Sequence, residues 1–396
     1  MQGANYSRLT VMNKKPKILF LHQSGELYGS DVVFVQIIDA LKTFVDPIIV
    51  LDNPGPLVER LRDAIGGQSP ILIHPLGVLR RRSFTPSGIL STAFHIITAV
   101  WWLARLVHRE SADIVYSNTI AVLPGAFAAT ITRRPHIWHI HEIVIKPRLL
   151  GAGLSLVTRT FSHVIIANSQ ATAQNLAAEC LVVYNGISVS RFDEVGASDI
   201  RHEFGVSDDD VLIVLIGRIH YPKGQDLLID VAYHIICNGI SCFKVMLVGD
   251  VYPGYEWVLE NLRSQVEELG LKSHIFFCGF RSDVPAILKA ADIAVAPSTQ
   301  PESFGLGVVE AMAAGKPVVA TALGGPLEII DDGITGFLVP PDDPDQIAVR
   351  LIQLIQDKEL RLQMGKRGRK RLEARFSIEA FNKRIRDIVL DVLLSE

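Results

Sequence analysis

Two glutamates, Glu302 and Glu310, have the spacing in this chain that most suggests chemistry, with seven residues between them in ESFGLGVVE. Glu302 follows the apolar run DIAVA, which predicts a buried strand, and Glu310 lies in a segment whose apolar residues recur at helical spacing. Parallel sheets present ligand-binding loops at the carboxyl ends of their strands, so Glu302 is placed for ligand binding. A helix-capping acid and an exposed helical glutamate are the alternative interpretation.

The residues between the two glutamates, Phe304, Gly305 and Leu306, predict the N-terminus of a helix. Unpaired backbone N–H groups and the helix dipole make such an end suitable for a phosphate or a polar sugar edge. Carboxylates accept hydrogen bonds from neighbouring hydroxyls. Donors for a diphosphate beside acceptors for hydroxyls predict a site for a nucleotide-sugar.

The stretch ESFGLGVVEAMAAGKPVVAT resembles the E-x7-E signature of retaining glycosyltransferases of family 4, and GGPLEIIDDGITGFLVPPDD is also similar to that family. The resemblance runs from about Pro16 to the C-terminus. It implies an α/β chain of the GT-B fold, in which two Rossmann-like doubly wound domains face a cleft. We expect an acceptor-binding domain over residues 1–190, a nucleotide-sugar-binding domain over 191–376, and a C-terminal helix, 377–396, that returns to the N-terminal domain.

The resemblance also implies roles for residues of the second domain. Arg218 and Lys223 flank a glycine-containing loop before a helix, where they would bind the diphosphate and stabilise its departure without a metal. Glu310 would hold the ribose hydroxyls and Glu302 a hydroxyl of the sugar; a nucleophilic Glu302 is the weaker alternative. The expected donor-binding set is Arg218, Lys223, Gly279, Phe280, Glu302, Phe304, Gly305, Leu306 and Glu310.

In the first domain the resemblance points to His141 and Gly29. His141 follows a predicted strand and would orient the transferred sugar as a catalytic residue; His139 is the alternative, more typical of a structural histidine. We expect the side chains of His139 and His141 to point to opposite faces of the strand, with Ile140 between them, and Glu142 to face away from His141. Gly29 would contact the donor phosphate or the acceptor, where the family usually has paired glycines; a tight turn is the alternative.

The predicted activity is transfer of a hexosyl unit from a UDP-, GDP- or ADP-sugar to an acceptor hydroxyl with retention, in cell-surface polysaccharide or glycolipid assembly. The resemblance implies a front-face mechanism in which the leaving phosphate helps to take the acceptor proton. A sugar-nucleotide epimerase, a phosphorylase and a catalytically silent nucleotide-sugar-binding protein are the alternatives. A silent relative is expected to lack one of four residues that are all present here: Arg218, Lys223, Glu302 and Glu310.

Composition excludes several other classes. A net charge of −3 does not suggest a nucleic-acid-binding surface, and we expect the basic segment MGKRGRKRLEARF to be a solvated helix. The four cysteines have no metal-ligand spacing, and no GxGxxG is present, so we expect neither metal nor redox cofactor. Asp208 and Asp210 form a D-x-D that precedes a strand, which places it away from the ligand edge. The N-terminus lacks an apolar signal core, and Met12 is an alternative start.

One apolar segment, 88–104, contains no Asp, Glu, Lys or Arg. It barely approaches the length of a membrane span, and we expect a helix packed on the sheet with one face at a membrane. A cytoplasmic protein, peripheral on the inner face of the membrane, would there meet a lipid-linked sugar acceptor. The alternative is a helix packed entirely on its own domain. The residues suited to a membrane surface are Arg80, Arg81, Arg82, Trp101, Trp102, Arg105, His108 and Arg109.

Overall fold

The computed structural model describes residues 14–67, 69–80, 83, 85–145, 147–196, 200–252 and 254–395. Met12, Arg81 and Arg82, considered above, lie outside these residues. The chain divides into two compact units: Met1–Gly186 with Glu379–Glu396, and Ile187–Ile378. The division at Gly186 falls four residues before the expected boundary, directly after the turn dipeptide Asn185-Gly186.

The first unit is a seven-stranded, fully parallel sheet with helices in its crossovers. Its strands are β1 (Lys17–His22), β2 (Asp46–Leu51), β3 (Ile71–Ile73), β4 (Ile114–Asn118), β5 (His136–Ile140), β6 (Val164–Ala167) and β7 (Leu181–Val182). Its helices are α1 (Gly29–Leu41), α2 (Leu57–Ile65), α3 (Pro86–Glu110), α4 (Pro124–Thr132), α5 (Arg148–Phe161) and α6 (Gln170–Leu176).

The strand order of this sheet is β3-β2-β1-β4-β5-β6-β7. The central strands are near-continuous apolar runs because helices cover both faces of a doubly wound sheet. Five of the six residues of β1, Ile18 to His22, are completely buried. The chain leaves β1 for β2 in one direction and later returns to β4 on the other side. The carboxyl ends of β1 and β4 therefore form the switch point at which doubly wound folds bind ligands.

The second unit is a six-stranded parallel sheet. Its strands are β8 (Val211–Ile216), β9 (Phe243–Val248), β10 (Ile275–Gly279), β11 (Ile293–Ala296), β12 (Val318–Thr321) and β13 (Gly336–Val339). Its helices are α7 (Ser190–Asp193), α8 (Ile200–Glu203), α9 (Gln225–Cys237), α10 (Glu256–Glu268), α11 (Val284–Ala290), α12 (Leu306–Ala313), α13 (Pro326–Ile329), α14 (Pro344–Gln356) and α15 (Lys358–Arg375), with a 3₁₀ turn at Tyr221–Lys223.

The order of the second sheet is β10-β9-β8-β11-β12-β13, so its switch point lies between β8 and β11. These neighbours in space are separated in sequence by β9 and β10. The loops after both strands carry residues of the expected donor site, and the topology alone brings these loops side by side. Both units are Rossmann-like, which confirms the predicted α/β fold class.

The final helix, α16 (Ile378–Leu394), belongs to the first unit. The Arg386 side chain donates to the Ala40 carbonyl oxygen at the end of α1, at 2.7 Å, and its guanidinium lies 5.0 Å from the centre of the Phe44 ring. Apolar side chains around this contact come from α16, from the last residue of α1 and from the segment that follows α1: Leu41, Val45, Val389, Leu390 and Leu393.

The basic segment at 364–376 forms the expected helix, with Lys366, Arg367 and Lys370 exposed, but one face of this helix packs on its domain. In α15 the residues Met364, Gly365, Gly368 and Leu372 are buried. A Cβ on Gly365 would lie 1.9 Å from the carbonyl oxygen of Gly315, so only glycine allows this contact with the end of α12. Arg369 reaches Asp193 at 2.7 Å, and Arg371 bonds the Ile329 carbonyl oxygen at 2.6 Å. These arginines hold the helix to its domain.

Candidate functional site

The second domain brings Lys223 and Glu302 into direct contact. Lys223 ends the 3₁₀ turn after β8, and Glu302 lies in the loop after β11. The Lys223 ammonium donates to Glu302 Oε1 at 2.9 Å, and the Ser298 hydroxyl donates to the same oxygen. A pocket at this edge of the sheet is lined by Lys223, Ser298, Glu302 and Gly307, together with residues of the neighbouring strands.

The electrostatics of Glu302 keep it ionised. Burial by itself would raise the pKa of this carboxyl, and it is the largest single effect. The charge of Lys223 and the hydrogen bonds from Ser298 and Lys223 together outweigh it, so the pKa of Glu302 is lowered from its ordinary value. Glu302 is therefore a hydrogen-bond acceptor at neutral pH, as binding of a sugar hydroxyl requires.

Backbone contacts fix the loop that carries Glu302. The Thr299 N–H donates to the Pro222 carbonyl oxygen at 3.0 Å, which ties this loop to the one before Lys223. The Gly325 N–H donates to the Glu302 carbonyl oxygen at 2.8 Å. A Cβ on Gly324 would lie 2.2 Å from that same oxygen, so the glycine pair after β12 allows this close approach.

The helix after Glu302 begins as predicted. Gly305 precedes the first residue of α12, Leu306, in a left-handed conformation with φ of 102° that glycine adopts without strain. Phe304 is buried against Phe376, with ring centres 6.0 Å apart, so its side chain belongs to the core and only its backbone remains for a ligand. No side chain caps α12, so the N–H groups of its first turn have no side-chain partner at the cap.

Glu310 lies on the second turn of α12. Burial raises the pKa of its carboxyl to about 7, although the nearby Arg191 guanidinium acts in the opposite direction. Glu310 is therefore about half ionised at neutral pH. Glu302, four residues before α12 begins, is ionised at the same pH. Two carboxylates on one short segment are thus held in different protonation states by their surroundings.

Arg218, Gly279 and Phe280 complete the set of residues that we expect to bind the nucleotide-sugar donor. Arg218 follows β8; its carbonyl oxygen accepts from Gln225 at 2.8 Å and its guanidinium lies 4.8 Å from the centre of the Tyr252 ring. Gly279 ends β10, and its carbonyl oxygen accepts from the Gly249 N–H at 2.9 Å. The Phe280 side chain is 61% exposed, at the same edge of the sheet.

Sequence reasoning did not assign a role to Ser298, which bonds Glu302. Ser298 is 2% exposed, and its carbonyl oxygen accepts from the Thr321 hydroxyl at 2.6 Å. The sequence could have identified Ser298 by its position two residues after β11, because polar residues at the carboxyl ends of parallel strands are placed for ligand binding.

Gly29 in the first domain begins α1, but the chain's own carboxylate occupies this helix N-terminus. Asp31 Oδ2 accepts from the Tyr28 N–H at 2.8 Å. A carboxylate that already bonds this end leaves it less suited to a phosphate. The contact disfavours phosphate binding at Gly29, which is the first residue of α1 and does not have the positive φ of a turn that requires glycine.

The expectation that His139 and His141 face apart is wrong, because side chains two residues apart on an extended chain lie on the same face. Their ring centres are 4.2 Å apart. His139 Nδ1 pairs with the Tyr116 hydroxyl at 2.8 Å, and His141 Nε2 lies 2.8 Å from Asn118 Oδ1. Burial lowers the pKa of His139 to about 3, and burial, followed by the neighbours His139 and His22, lowers that of His141 well below its ordinary value.

Glu142 turns its carboxylate to the backbone. Its Oε2 accepts from the Ile120 N–H at 3.0 Å and from the His141 N–H at 3.2 Å. The carboxylate of Glu142 thus bonds the backbone N–H of His141 rather than its imidazole.

The D-x-D at Asp208 lies at the amino end of β8, as expected. Asp210 accepts from the Ser207 N–H at 3.0 Å and Ser207 hydroxyl at 2.9 Å, which closes a turn. Within the described ranges, no group of three or more His, Cys, Asp and Glu residues is arranged to hold a metal ion.

Helix α3 is long and apolar enough to cross a membrane by length and composition, and only 28% of its apolar window is buried. Its last turns pack on the core through Ala99, Leu103 and Leu106, while an apolar stripe on its outer side is exposed. The helix is therefore not packed entirely on its own domain. The apolar stripe consists of Leu90 (75% exposed), Phe94 (64%), Ile97 (59%) and Trp101 (55%).

Two residues of the expected membrane cluster have other partners. Arg80 donates to Asp52 at 2.8 Å and to the Gln23 carbonyl oxygen at 3.3 Å, so it is held within the domain. Trp102 stacks on His74, with ring centres 4.0 Å apart. Arg105, His108 and Arg109 are exposed at the end of the helix.

Comparison with known proteins agrees with this architecture. Residues 197–371 match the family described as glycosyl transferases group 1, and residues 29–191 match glycosyltransferase family 4. N-acetyl-alpha-D-glucosaminyl L-malate synthase of Bacillus anthracis is 30% identical over 307 residues, 74% of this chain and 78% of that protein. An uncharacterized glycosyltransferase of Methanocaldococcus jannaschii is 29% identical over 286 residues, 69% and 74% of the two chains.

Among solved structures, Anabaena Alr3699/HepE, in complex with UDP and glucose, has a TM-score of 0.81 at 27% identity and covers 94% of this chain and 99% of its own. Sucrose-phosphate synthase of Thermosynechococcus elongatus has a TM-score of 0.78 at 18% identity over 96% of this chain and 100% of its own, which shows the fold alone. The two Rossmann-like domains are those of the GT-B class. The chain belongs to the group 1 and family 4 glycosyltransferases.

Proposed function

We propose that this glycosyltransferase moves a hexosyl unit from a nucleotide-diphospho-sugar to an acceptor hydroxyl with retention and without a metal, in cell-surface polysaccharide or glycolipid assembly. The observation that carries the proposal is the Lys223–Glu302 contact at 2.9 Å, beside a helix N-terminus. It places a cation for phosphate next to an ionised acceptor for a sugar hydroxyl. The Anabaena structures contain UDP and UDP-glucose, which makes uridine the first base to test.

In this proposal each residue stabilises a different part of the reaction. Arg218, Lys223 and the N–H groups at the start of α12 stabilise the departing diphosphate as positive charge grows on the sugar ring. An ammonium has three donors, so Lys223 can hold Glu302 and a phosphate oxygen together. Glu302 accepts from a sugar hydroxyl, Glu310 from the ribose hydroxyls, and His141 contacts the transferred sugar.

A donor screen with product analysis tests the activity. The purified chain is incubated with UDP-glucose, UDP-N-acetylglucosamine, GDP-mannose or ADP-glucose, with and without added sugar acceptors, and anomeric configuration is followed by NMR. Retained configuration in an acceptor-dependent product supports the proposal. Glu302→Gln should lose the reaction, whereas Glu260→Gln on the exposed side of α10 should keep it.

The same screen separates the alternative enzymes. Consumption of nucleotide-sugar without acceptor, with formation of an epimeric sugar, would indicate an epimerase. Dependence on inorganic phosphate would indicate a phosphorylase. Inverted configuration in the product would contradict the retaining mechanism. Binding without turnover across the screen would contradict an active transferase for these donors.

We propose further that the first domain docks on the cytoplasmic face of an anionic membrane, where a lipid-linked sugar acceptor would be presented. The apolar stripe of α3 ends at the exposed cations Arg105 and Arg109, so apolar area and positive charge adjoin. Helix α5 of the same domain also carries two exposed apolar side chains, Leu149 (88% exposed) and Leu156 (65%).

Liposome co-sedimentation tests the docking. Vesicles with anionic lipid should retain the wild-type protein at low salt and release it as salt rises. Phe94→Ser with Trp101→Ser should abolish retention, whereas Trp257→Ser, which changes an exposed tryptophan of the second domain, should not. A wild-type protein that stays in the supernatant would refute the docking and favour a soluble acceptor.

A further inference from the structure

Four buried side chains form a chain of contacts at the carboxyl edge of the first domain's sheet: Asp31, His22, Asn118 and His141. They come from the first turn of α1, the last residues of β1 and β4, and the residue after β5. None is more than 7% exposed. β1 and β4 flank the switch point of the sheet, so this chain lies where doubly wound domains bind ligands.

Consecutive members of this chain lie within hydrogen-bond distance. His22 Nε2 is 2.6 Å from Asp31 Oδ1. The Asn118 amide nitrogen is 3.0 Å from His22 Nδ1, and the Asn118 amide oxygen is 2.8 Å from His141 Nε2. The Phe34 ring stacks on His22, with centres 4.6 Å apart, and fixes the plane of that imidazole.

The surroundings of Asn118 determine which way its amide points. Its nitrogen also lies 3.4 Å from the Ser30 carbonyl oxygen, at the limit for a hydrogen bond. Turning the amide over would place its oxygen against that carbonyl, so that two acceptors would face each other. The amide therefore donates toward His22 Nδ1 at 3.0 Å, which is closer than the 3.3 Å between that nitrogen and the Asn118 backbone carbonyl oxygen, and it accepts from His141.

This orientation determines the proton position on His141. An amide oxygen only accepts, so His141 Nε2 must carry a proton. Burial, with His139 and His22 nearby, lowers the pKa of His141 well below its ordinary value, so the ring is neutral and carries one proton. His141 Nδ1 is then an acceptor, and this buried atom has no hydrogen-bond partner among the described residues.

We propose that Asn118, held by His22 and Asp31, is a positioning residue that keeps His141 in its Nε2–H tautomer so that Nδ1 accepts a hydrogen bond from a hydroxyl of the transferred sugar. The inference rests on the proposed hexosyl transfer. A buried acceptor without a protein partner is matched by a ligand donor, and a sugar hydroxyl is such a donor. The rigid support behind the ring fixes the direction of that bond.

The titratable groups around His141 are His139 and Glu142 on its own segment, Tyr116 on β4, His22 on β1, and Asp31 in α1. Only His22 and Asp31 connect to it through Asn118. Asn118→Asp keeps the shape and still accepts from His141 Nε2, but it adds a negative charge that raises the pKa of His141. Below that pKa, Nδ1 gains a proton and stops accepting.

The test combines NMR and kinetics on the full chain. ¹⁵N-histidine spectra should show His141 protonated at Nε2 only, from pH 6 to 8, with its signals identified by their loss in His141→Gln. In Asn118→Asp the same signals should titrate in this range, and kcat should fall at least about tenfold from pH 8 to pH 6, as expected when a histidine loses its working protonation state. Wild-type kcat should change much less over the same range.

Asn168→Asp is the matched control, because Asn168 is 2% exposed, follows β6, and bonds Thr172 rather than His141. It should leave the tautomer and the pH profile as in the wild type. A proton on His141 Nδ1 in the wild type would overturn the inference, as would a folded Asn118→Asp variant with a wild-type pH profile. Absence of transfer in the wild type, with the expected tautomer, would instead count against the proposed function.

Discussion

Lys223 and Glu302 are separated by 78 residues in the sequence and by 2.9 Å between Nζ and Oε1 in the structure. The contact exists because β8 and β11 are neighbours in the sheet, and each residue lies in the loop after its strand. It joins two residues to which the family resemblance gives different ligands, a diphosphate and a sugar hydroxyl. A change in either residue should therefore affect the binding of both the diphosphate and the sugar.

Replacing Glu302 by Ala should lower kcat by about 10²–10³-fold, because an acceptor positioned for the transition state is lost. The fold should remain, since Lys223 keeps access to solvent. Steady-state kinetics with a nucleotide-sugar, together with circular dichroism, measure the two effects. Wild-type turnover in a folded variant would contradict the assignment.

Replacing Arg218 or Lys223 by Ala should weaken the binding of UDP at least about tenfold and change the binding of uridine little. The reason is that a charge-assisted hydrogen bond to phosphate contributes about 1.5–3 kcal/mol. Calorimetric titration with both ligands measures the difference. Lys272→Ala, an exposed surface change in the same domain, serves as the control.

Activity that is lost in EDTA and restored by Mg²⁺ or Mn²⁺ would refute the metal-independent mechanism.

Nucleotide binding should depend on pH through Glu310, whose pKa burial raises to about 7. The ionised carboxylate accepts from ribose hydroxyls better than the neutral acid, so affinity for uridine should rise from pH 6 to pH 8. Glu310→Gln should weaken binding at pH 8 and remove the dependence. An unchanged pH profile in that variant would assign the titration to another group.

Glu310 should also lower the stability of the ligand-free protein as pH rises. Its folded-state pKa exceeds the unfolded value, so the folded state binds the proton more tightly and loses stability as pH rises from 4.5 to about 7. Above that range the ionised Glu310 lowers the free energy of unfolding by about 1–3 kcal/mol, and contact with water at this partly exposed residue favours the lower end. Glu310→Gln should therefore raise Tm at pH 8 and leave it unchanged near pH 4.5.

Gly365→Ala should destabilise the second domain by about 2–3 kcal/mol or more, because the new Cβ would lie 1.9 Å from the Gly315 carbonyl oxygen. Gly153→Ala is the matched change in α5, where a Cβ meets nothing within 4 Å, and it should be neutral or stabilising by about 0.5–1 kcal/mol. Chemical denaturation of both variants gives the comparison. Equal stability would contradict the tight packing of α15.

Much of the fold was predictable from sequence because the information is local. Apolar runs such as DIAVA, bounded by turn residues, indicate buried strands, and the stretch around Gly305 predicted both the start of α12 and its buried face. Short or amphipathic elements give weaker signals: β3 has only three residues, and α5 carries exposed leucines that obscure its pattern. Basic residues likewise obscured the buried glycines of α15.

The sequence by itself determined which residue types stand at the carboxyl ends of the strands: Lys223 and Glu302 in one domain, and His141 in the other. Only the tertiary structure decided which of them meet. Whereas the shared face of His139 and His141 follows from their local spacing alone, the path from Asp31 through His22 and Asn118 to His141 depends on strands β1, β4 and β5 lying side by side. Such contacts join residues up to 96 positions apart, and no local pattern encodes that distance, because strand order is set by packing the whole chain.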